Sequence, residues 1–452
     1  MQKRYDVIVI GAGSGLEISS YAAELGLKVA IVEAGPFGGT CLNRGCIPSK
    51  MLIYSADIAE TIQRSKIFGI KSKITEINWK QLISRVTKTV DGEAKEIEQG
   101  NKQTKNITIY KAKAHFVGKK LLKAGKDVIT ADKIFICAGA RPSIPPIQGL
   151  NNVPFITSDE ALRLEKQPRK LTIIGGGYIA AELAHWFGAL GTKVTILQRG
   201  NLLMSNEDSE IAQRFTKVYK RKFNVLLNVN TKKVYKKNQD FAVDIEINGK
   251  KRTILGDTLL IATGRTPNTD ILDVKSTGAE VNERGFVKVN EYLETNVPGI
   301  WAIGDIAGIY MFKHSANLEA EYAINNAFGK KIPVDYYAMP HAAFSSPQVA
   351  AVGKTEDELK EKGTPYLKAT HDFKNTGYGR AIEDNDGFVK VLVDPKTKEI
   401  LGCHIIGTDA SMLIHEVIVA MKAKLGVKGI TKAVHIHPAL SEVVQRAFKK
   451  VQ

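Results

Sequence analysis

Strand, glycine turn, helix and strand follow one another in DVIVIGAGSGLEISSYAAELGLKVAIVEAG, and again from Lys170 in KLTIIGGGYIAAELAHWFGALGTKVTILQRG. Each copy reads as a βαβ unit, whose glycines let the chain turn tightly and bring the N–H groups of a helix N-terminus up to a pyrophosphate. One imperfect glycine run is weak evidence, but two copies in the correct context predict two dinucleotide-binding domains.

In the first copy, Gly11 suits the tight turn and Gly13 the close approach of a pyrophosphate. The third glycine of the usual G-x-G-x-x-G spacing falls on Leu16, with Gly15 adjacent. Glu33 ends the next strand, 22 residues after Gly11, where a carboxylate can accept hydrogen bonds from a ribose diol. In the second copy, Gly175, Gly177 and Ala180 give the G-x-G-x-x-A form. Aligning GLKVAIVE on GTKVTILQ puts Gln198 opposite Glu33, with Arg199 next to it. An amide there does not repel a 2′-phosphate, and a guanidinium can bind one, which points to NADPH rather than NADH.

The rest of the chain changes character. Residues 78–100 read as a polar amphipathic helix and 107–136 as short strands with turns. After about residue 335, strand patterns such as GFVKVLVD and EILGCHIIG precede the helical SMLIHEVIVAMKAKLG, an α+β module without a glycine fingerprint. The length of 452 residues suits about three domains. No apolar run approaches the roughly 18–20 residues of a membrane span. MQKRYDVIVIGAG mimics an export signal, yet those residues build the first strand and glycine turn, so a cytoplasmic protein is expected. The formal charge is +17, but the lysines of 118–126, 217–237 and 422–432 are not interleaved with aromatics in a nucleic-acid motif. A solvated basic surface that favours anionic substrates or partners is expected instead, with no metal site and no membrane contact.

Four cysteines in a chain this long are too few for a disulfide framework. Cys137 in KIFICAGA and Cys403 in ILGCHIIG lie in strand-like runs and read as buried and inert. Cys41 and Cys46, in GGTCLNRGCIPSK, form the one close pair. On a regular helix, five residues separate Cα atoms by roughly 8–9 Å, whereas a disulfide wants about 4.4–6.8 Å. The turn must therefore be distorted, with Gly45 supplying backbone freedom and Pro48 removing a donor. Gly38, Gly39 and Thr40 suit a helix start whose dipole favours a thiolate, and Lys50 lies about one turn beyond Cys46. In a reducing cytosol such a pair suggests catalysis.

CLNRGCIPSK after the first nucleotide motif resembles the pyridine nucleotide–disulfide oxidoreductases, of the dihydrolipoamide dehydrogenase and glutathione reductase class. The likeness runs through ICAGARP with Gly139, IATGRTPN with Gly264, TNVPGIWAIGD, FSSPQVAAVGKTEDE and HIHPALSE. It implies an α/β fold of two Rossmann-like domains, for FAD and NAD(P), plus a C-terminal α+β dimerisation domain. The expected boundaries are 1–145 and 265–334 for FAD, 146–264 for NAD(P) and 335–452 for dimerisation. The resemblance further implies a homodimer with shared active sites. Cys41 would be the interchange thiol and Cys46 the flavin-facing thiol. Asp305 would bind the ribityl chain of FAD, Lys50 would pair with Glu182 near the flavin, and Tyr178 would stand as a gate over its nicotinamide face. His437, oriented by Glu442, would be the base serving the other subunit's cysteines, with His435 in support.

The substrate is less tightly implied. The CLNRGCIPSK block looks most like dihydrolipoamide dehydrogenase, acting on a lipoyl-type dithiol or disulfide. GYGRAIEDNDGFVK and IHPALSEVV look more like mycothione reductases, which reduce a low-molecular-weight disulfide with NADPH. Mercuric reductases and the large thioredoxin reductases carry a second redox pair at the C-terminus, unlike the RAFKKVQ seen here. Leu203, Met204 and Ser205 offer no second arginine for a 2′-phosphate, so NADH stays open beside NADPH. A flavin-bound subunit or basic binding module with a vestigial redox pair is the reading outside catalysis.

Overall fold

The computed structural model describes residues 2–451. The chain forms two compact units. One comprises Met1–Met51, Lys80–Ser143 and Gly264–Asp335, and the other comprises Leu52–Trp79, Ile144–Thr263 and Tyr336–Gln452.

In the first unit, the strand Gln2–Ile10 lies between Val29–Val32 and Asp127–Ile136, parallel to both. Ile107–Tyr110 extends the sheet on one side, and Ile300–Ala302 runs parallel to the far end of Asp127–Ile136. The antiparallel strands Leu121–Ala124 and Ala114–Gly118 complete seven strands. Val7 and Val9 pack on one face with Ile18, Ile31 and Phe135, while Ile8 and Ile10 pack on the other with Ile134 and Ile136. Both faces are covered, which is why YDVIVI reads as a continuous apolar run rather than an alternating one. Each fully buried valine or isoleucine of that strand contributes about 1.5–3 kcal/mol. The amphipathic helix expected at 78–100 is present as Trp79–Gln103.

The second unit holds a four-stranded parallel sheet in the order Asn224–Leu226, Lys193–Leu197, Lys170–Ile174, Thr258–Ile261. A three-stranded antiparallel meander covers Asn230–Lys237, Asp240–Ile247 and Lys250–Gly256. The C-terminal module is a five-stranded antiparallel sheet, 340–343, 348–353, 400–407, 388–393, 367–372. Its core joins Val389, Val391 and Ile405 to Val417, Val444 and Phe448 of the covering helices. A charged cluster joins this module to the helix Ser209–Lys222. The Lys390 ammonium, fully buried, lies 2.8 Å from Asp208 and 2.5 Å from Glu356. The expected fold class of two nucleotide-binding α/β folds and a C-terminal α+β module is thus present.

The two βαβ copies solve the same steric problem in the same way. Gly11 has φ +107°, and a Cβ there would stand 2.3 Å from the carbonyl oxygen of Cys137. Gly175 has φ +124°, and its Cβ would stand 2.1 Å from the carbonyl oxygen of Ala262. In each copy the turn backs onto the end of a neighbouring strand, where no side chain fits. Cys403 is buried within Ile400–Gly407, while Cys137 lies one residue past its strand and is partly exposed as a residue; burial pushes both thiols well above their ordinary value. No helix of the described residues is long and apolar enough to cross a membrane.

Candidate active site

The redox segment is two helices in place of one. Gly39–Arg44 ends at Gly45, with φ −144° and ψ −116°, and a new helix, Cys46–Arg64, begins at once. A Cβ on Gly45 would come 2.9 Å from the Thr40 carbonyl oxygen and 3.3 Å from the Cys41 Cα. The chain folds back closely at this glycine, and the two thiols come within hydrogen-bonding reach of each other. Pro48 sits in the first turn of the second helix, where a missing N–H costs nothing. The helix start expected to favour a thiolate is outweighed at Cys41. The hydrogen bond with Cys46, followed by burial, pushes the Cys41 thiol well above its ordinary value, while Lys313 pulls the other way. Lys313, whose ammonium also donates to Ser14 Oγ at 2.7 Å, carried no motif to mark it.

This segment is stitched to the first glycine turn, since Gly38 N–H donates to the Ala12 carbonyl at 2.8 Å. Glu33 accepts from Ala12 N–H at 2.8 Å and from Gly35 N–H at 2.6 Å, so its carboxylate is fixed beside the turn. Gly15, rather than position 16, provides the close helix-to-strand packing, for its Cβ would lie 2.8 Å from Val9 Cγ1. Gly139 and Gly264 take φ +62° and +106°, each with open space where a Cβ would point. Asp305 lies 3.3 Å from Arg265 Nε; burial pushes its carboxyl up and the guanidinium opposes this. Open backbone at Gly139 and Gly264, donors at a helix start and a fixed carboxylate at the strand end fit the adenosine, pyrophosphate and ribityl parts of FAD. Lys50, in the second redox helix, reaches Ser49 Oγ at 3.3 Å.

In the second unit, Gly177 is exposed, and a Cβ there would meet nothing, leaving room for a pyrophosphate at the start of the helix Tyr178–Ala189. The Gln198 side chain bears on the turn: a Cβ on Gly176 would lie 2.8 Å from Gln198 Cδ. Its amide donates to the Leu202 carbonyl at 3.0 Å, whereas Arg199 is exposed. Glu182 accepts from Phe344 N–H at 2.9 Å. The Tyr178 hydroxyl donates to Glu207, a partner the motif gave no sign of.

In the C-terminal module, His437 Nδ1 lies 3.1 Å from Glu442 Oε1. The His437 hydrogen bond is the main cause holding the Glu442 carboxyl below the ordinary range. The His437 side chain is 72% exposed, while Val434 and Ile436 beside it are 100% and 78% exposed. His435 faces inward and pairs with Glu416 at 2.9 Å.

Residues 5–320 match the pyridine nucleotide-disulphide oxidoreductase family, and residues 339–448 match the dimerisation domain of that family. A mycothione reductase of Mycobacterium tuberculosis is 38% identical over 460 residues, covering 98% of each chain. A dihydrolipoyl dehydrogenase of Geobacillus stearothermophilus is 35% identical, covering 98% of this chain and 95% of the relative. The HOCl-induced flavoprotein disulfide reductase RclA from Escherichia coli has a TM-score of 0.88 at 29% identity, covering 99% of this chain and 100% of that one. The chain belongs to the pyridine nucleotide-disulphide oxidoreductases, enzymes that use FAD and NAD(P)H.

Proposed function

We propose that this chain moves electrons between a nicotinamide nucleotide and an external dithiol or disulfide through Cys41 and Cys46, as a homodimer in the cytoplasm. The observation that carries this reading is the pair of hydrogen-bonded thiols on either side of the Gly45 break, stitched to the first glycine turn. Residues 1–145 and 265–334 hold FAD, 146–264 hold the nicotinamide nucleotide, and 335–452 dimerise. FAD, when bound, relays two electrons between nucleotide and redox pair.

In the reductive direction, the Cys41 sulfur attacks one sulfur of the substrate disulfide and the first product leaves as a thiol. Cys46 then displaces the second product from Cys41, closing the Cys41–Cys46 disulfide. The two thiol protons leave with the two products, carried by His437, which Glu442 orients. The imidazole is exposed beside bare Val434 and Ile436, which suits a base that works on a second subunit's cysteines.

The substrate reading is dihydrolipoyl-like on the CLNRGCIPSK block. A second reading, NADPH-dependent reduction of a low-molecular-weight disulfide, is favoured by Gln198 in place of a carboxylate and by the mycothione reductase relative. The test is an assay of the holoenzyme with NADH and NADPH against dihydrolipoamide and a panel of disulfides. Cys46→Ser should keep FAD and lose turnover, while Cys41→Ser should lose turnover but show long-wavelength absorbance from a thiolate beside the flavin. An active Cys41→Ser enzyme would overturn the mechanism.

A further inference from the structure

Tyr178 is the first residue of the helix that follows the second glycine turn, so its ring stands at the mouth of the proposed nicotinamide-nucleotide site. The ring is held there. Its hydroxyl donates to Glu207, and its face lies against His341, with ring centroids 6.2 Å apart. His341 in turn meets the second oxygen of the same carboxylate, Nε2 to Oε2 at 3.1 Å.

Glu207 is 6% exposed. Burial works against its charge, but hydrogen bonds from His341 and Tyr178 more than reverse that, leaving the carboxyl below its ordinary value. A buried carboxylate with a donor on each oxygen is rigid, because losing either donor leaves charge uncompensated. The phenol is correspondingly kept protonated, by burial first and by the neighbouring carboxylate second.

Glu207 also ends the loop that begins at Gln198. That loop is pinned to the glycine turn, Met204 N–H donating to the Gly176 carbonyl at 2.8 Å, and closed on itself by the Gln198 amide. The next residue, Asp208, is bound to buried Lys390. One short segment therefore fixes both the residue opposite the adenine ribose and the ring at the helix start.

We propose that Glu207, braced by His341, is a positioning residue for nicotinamide-nucleotide binding, acting through the Tyr178 hydroxyl. The proposal rests on the reading of Gly175–Ala180 as the nucleotide cradle. Glu207 touches no reacting atom. It sets the ring against which the nucleotide is placed, and its effect is on affinity and orientation rather than on the thiol chemistry.

The test uses holoenzyme titrated with NAD⁺ and NADP⁺, together with steady-state kinetics. Tyr178→Phe and Glu207→Gln should each raise the nucleotide Kd and KM about five- to tenfold, less than the full worth of a charge-assisted hydrogen bond because the contact acts on the nucleotide only through the ring. The KM for the disulfide should stay within about twofold, since the two positions belong to the nucleotide cradle. The double variant should be no worse than the more impaired single one, because both remove the same contact. Additive effects, or a Tyr178→Phe enzyme with unchanged nucleotide Kd, would overturn the proposal. Tyr178→Phe keeps the packing, so it decides the matter even where Glu207→Gln does not fold. Gly177→Val separates this from the cradle itself: its side chain enters space open in the protein and should abolish nucleotide binding with FAD retained. Wild-type binding by Gly177→Val would mean that the cradle reading, and the proposal with it, is wrong.

Discussion

Gly39 and Gly13 meet backbone to backbone: a Cβ on Gly39 would stand 2.8 Å from the Gly13 Cα, and Gly39 itself takes φ +64°. The helix that carries Cys41 is thereby held against the first glycine turn with no side chain between them. Gly39→Ala should strain the backbone and force the two segments apart, at a cost of about 1–3 kcal/mol. The expected outcome is protein purified with less than half its FAD and a lowered Tm. Full flavin content with wild-type turnover would show that the contact is dispensable.

His437 and Glu442 form the proposed base pair, and the proposal places the cysteines they serve on the second subunit. His437→Ala and Cys41→Ser homodimers should each be inactive. Unfolding and refolding them together should recover up to about one site in four overall, half of the sites in each mixed dimer. Heterodimers that form without any recovered activity would show that each subunit works alone.

Nucleotide choice turns on Gln198 and Arg199. With no carboxylate at Gln198 and Arg199 exposed at its side, NADPH should be preferred. A charge-assisted contact of about 1.5–3 kcal/mol corresponds to roughly ten- to a hundredfold in kcat/KM. Arg199→Ala should erase most of that preference and Gln198→Glu should reverse it. A wild type that prefers NADH, or a ratio unmoved by Arg199→Ala, defeats the assignment and strengthens the dihydrolipoyl reading.

The Lys390 cluster predicts a sensitivity to acid. Burial pushes Glu356 up, but hydrogen bonds from Lys390, Tyr366, Lys360 and Lys368 reverse this and leave it far below its ordinary 4.5. Asp208 is likewise lowered, with burial opposed by His404 and Lys390. A carboxyl depressed in the folded state stabilises fully above its unfolded value, and that contribution is lost as pH falls from there towards the folded one. Stability against urea should therefore fall as pH drops below about 4.5, and less so in Glu356→Gln. Lys390→Ala, which removes the fully buried cation from between Asp208 and Glu356, should cost about 3–5 kcal/mol at neutral pH. A loss below 1 kcal/mol would mean the cluster is relaxed by water, as in an exposed pair.

The glycine turns and the residues closing each βαβ strand were legible because their cause is local. Gly11 and Gly175 are dictated by a neighbouring carbonyl at a fixed place in a repeating unit, and Glu33 and Gln198 follow by register. The distortion at Gly45 was legible for the same reason, since five residues of regular helix hold two Cα atoms too far apart for a disulfide. What escaped were contacts made across long stretches of chain. Lys390 meets Asp208 over 182 positions and His341 meets Glu207 over 134, and no periodicity marks either. The direction of the Cys41 shift also escaped, because it depends on the nearby Cys46 thiol and on burial, neither of which a helix-dipole argument weighs.

The pairing of Glu33 with Gln198 at equivalent ends of two alike cradles bears on how the enzyme is loaded. FAD and NADPH share an adenosine diphosphate half, so a newly folded apoprotein offers two cradles to both. The Glu33 carboxylate, held beside its turn by two N–H groups, repels a 2′-phosphate but welcomes a free ribose diol. On the proposed assignment of the two cradles, NADPH is thus a poor squatter in the flavin's place, and flavin loading need not wait for it to leave.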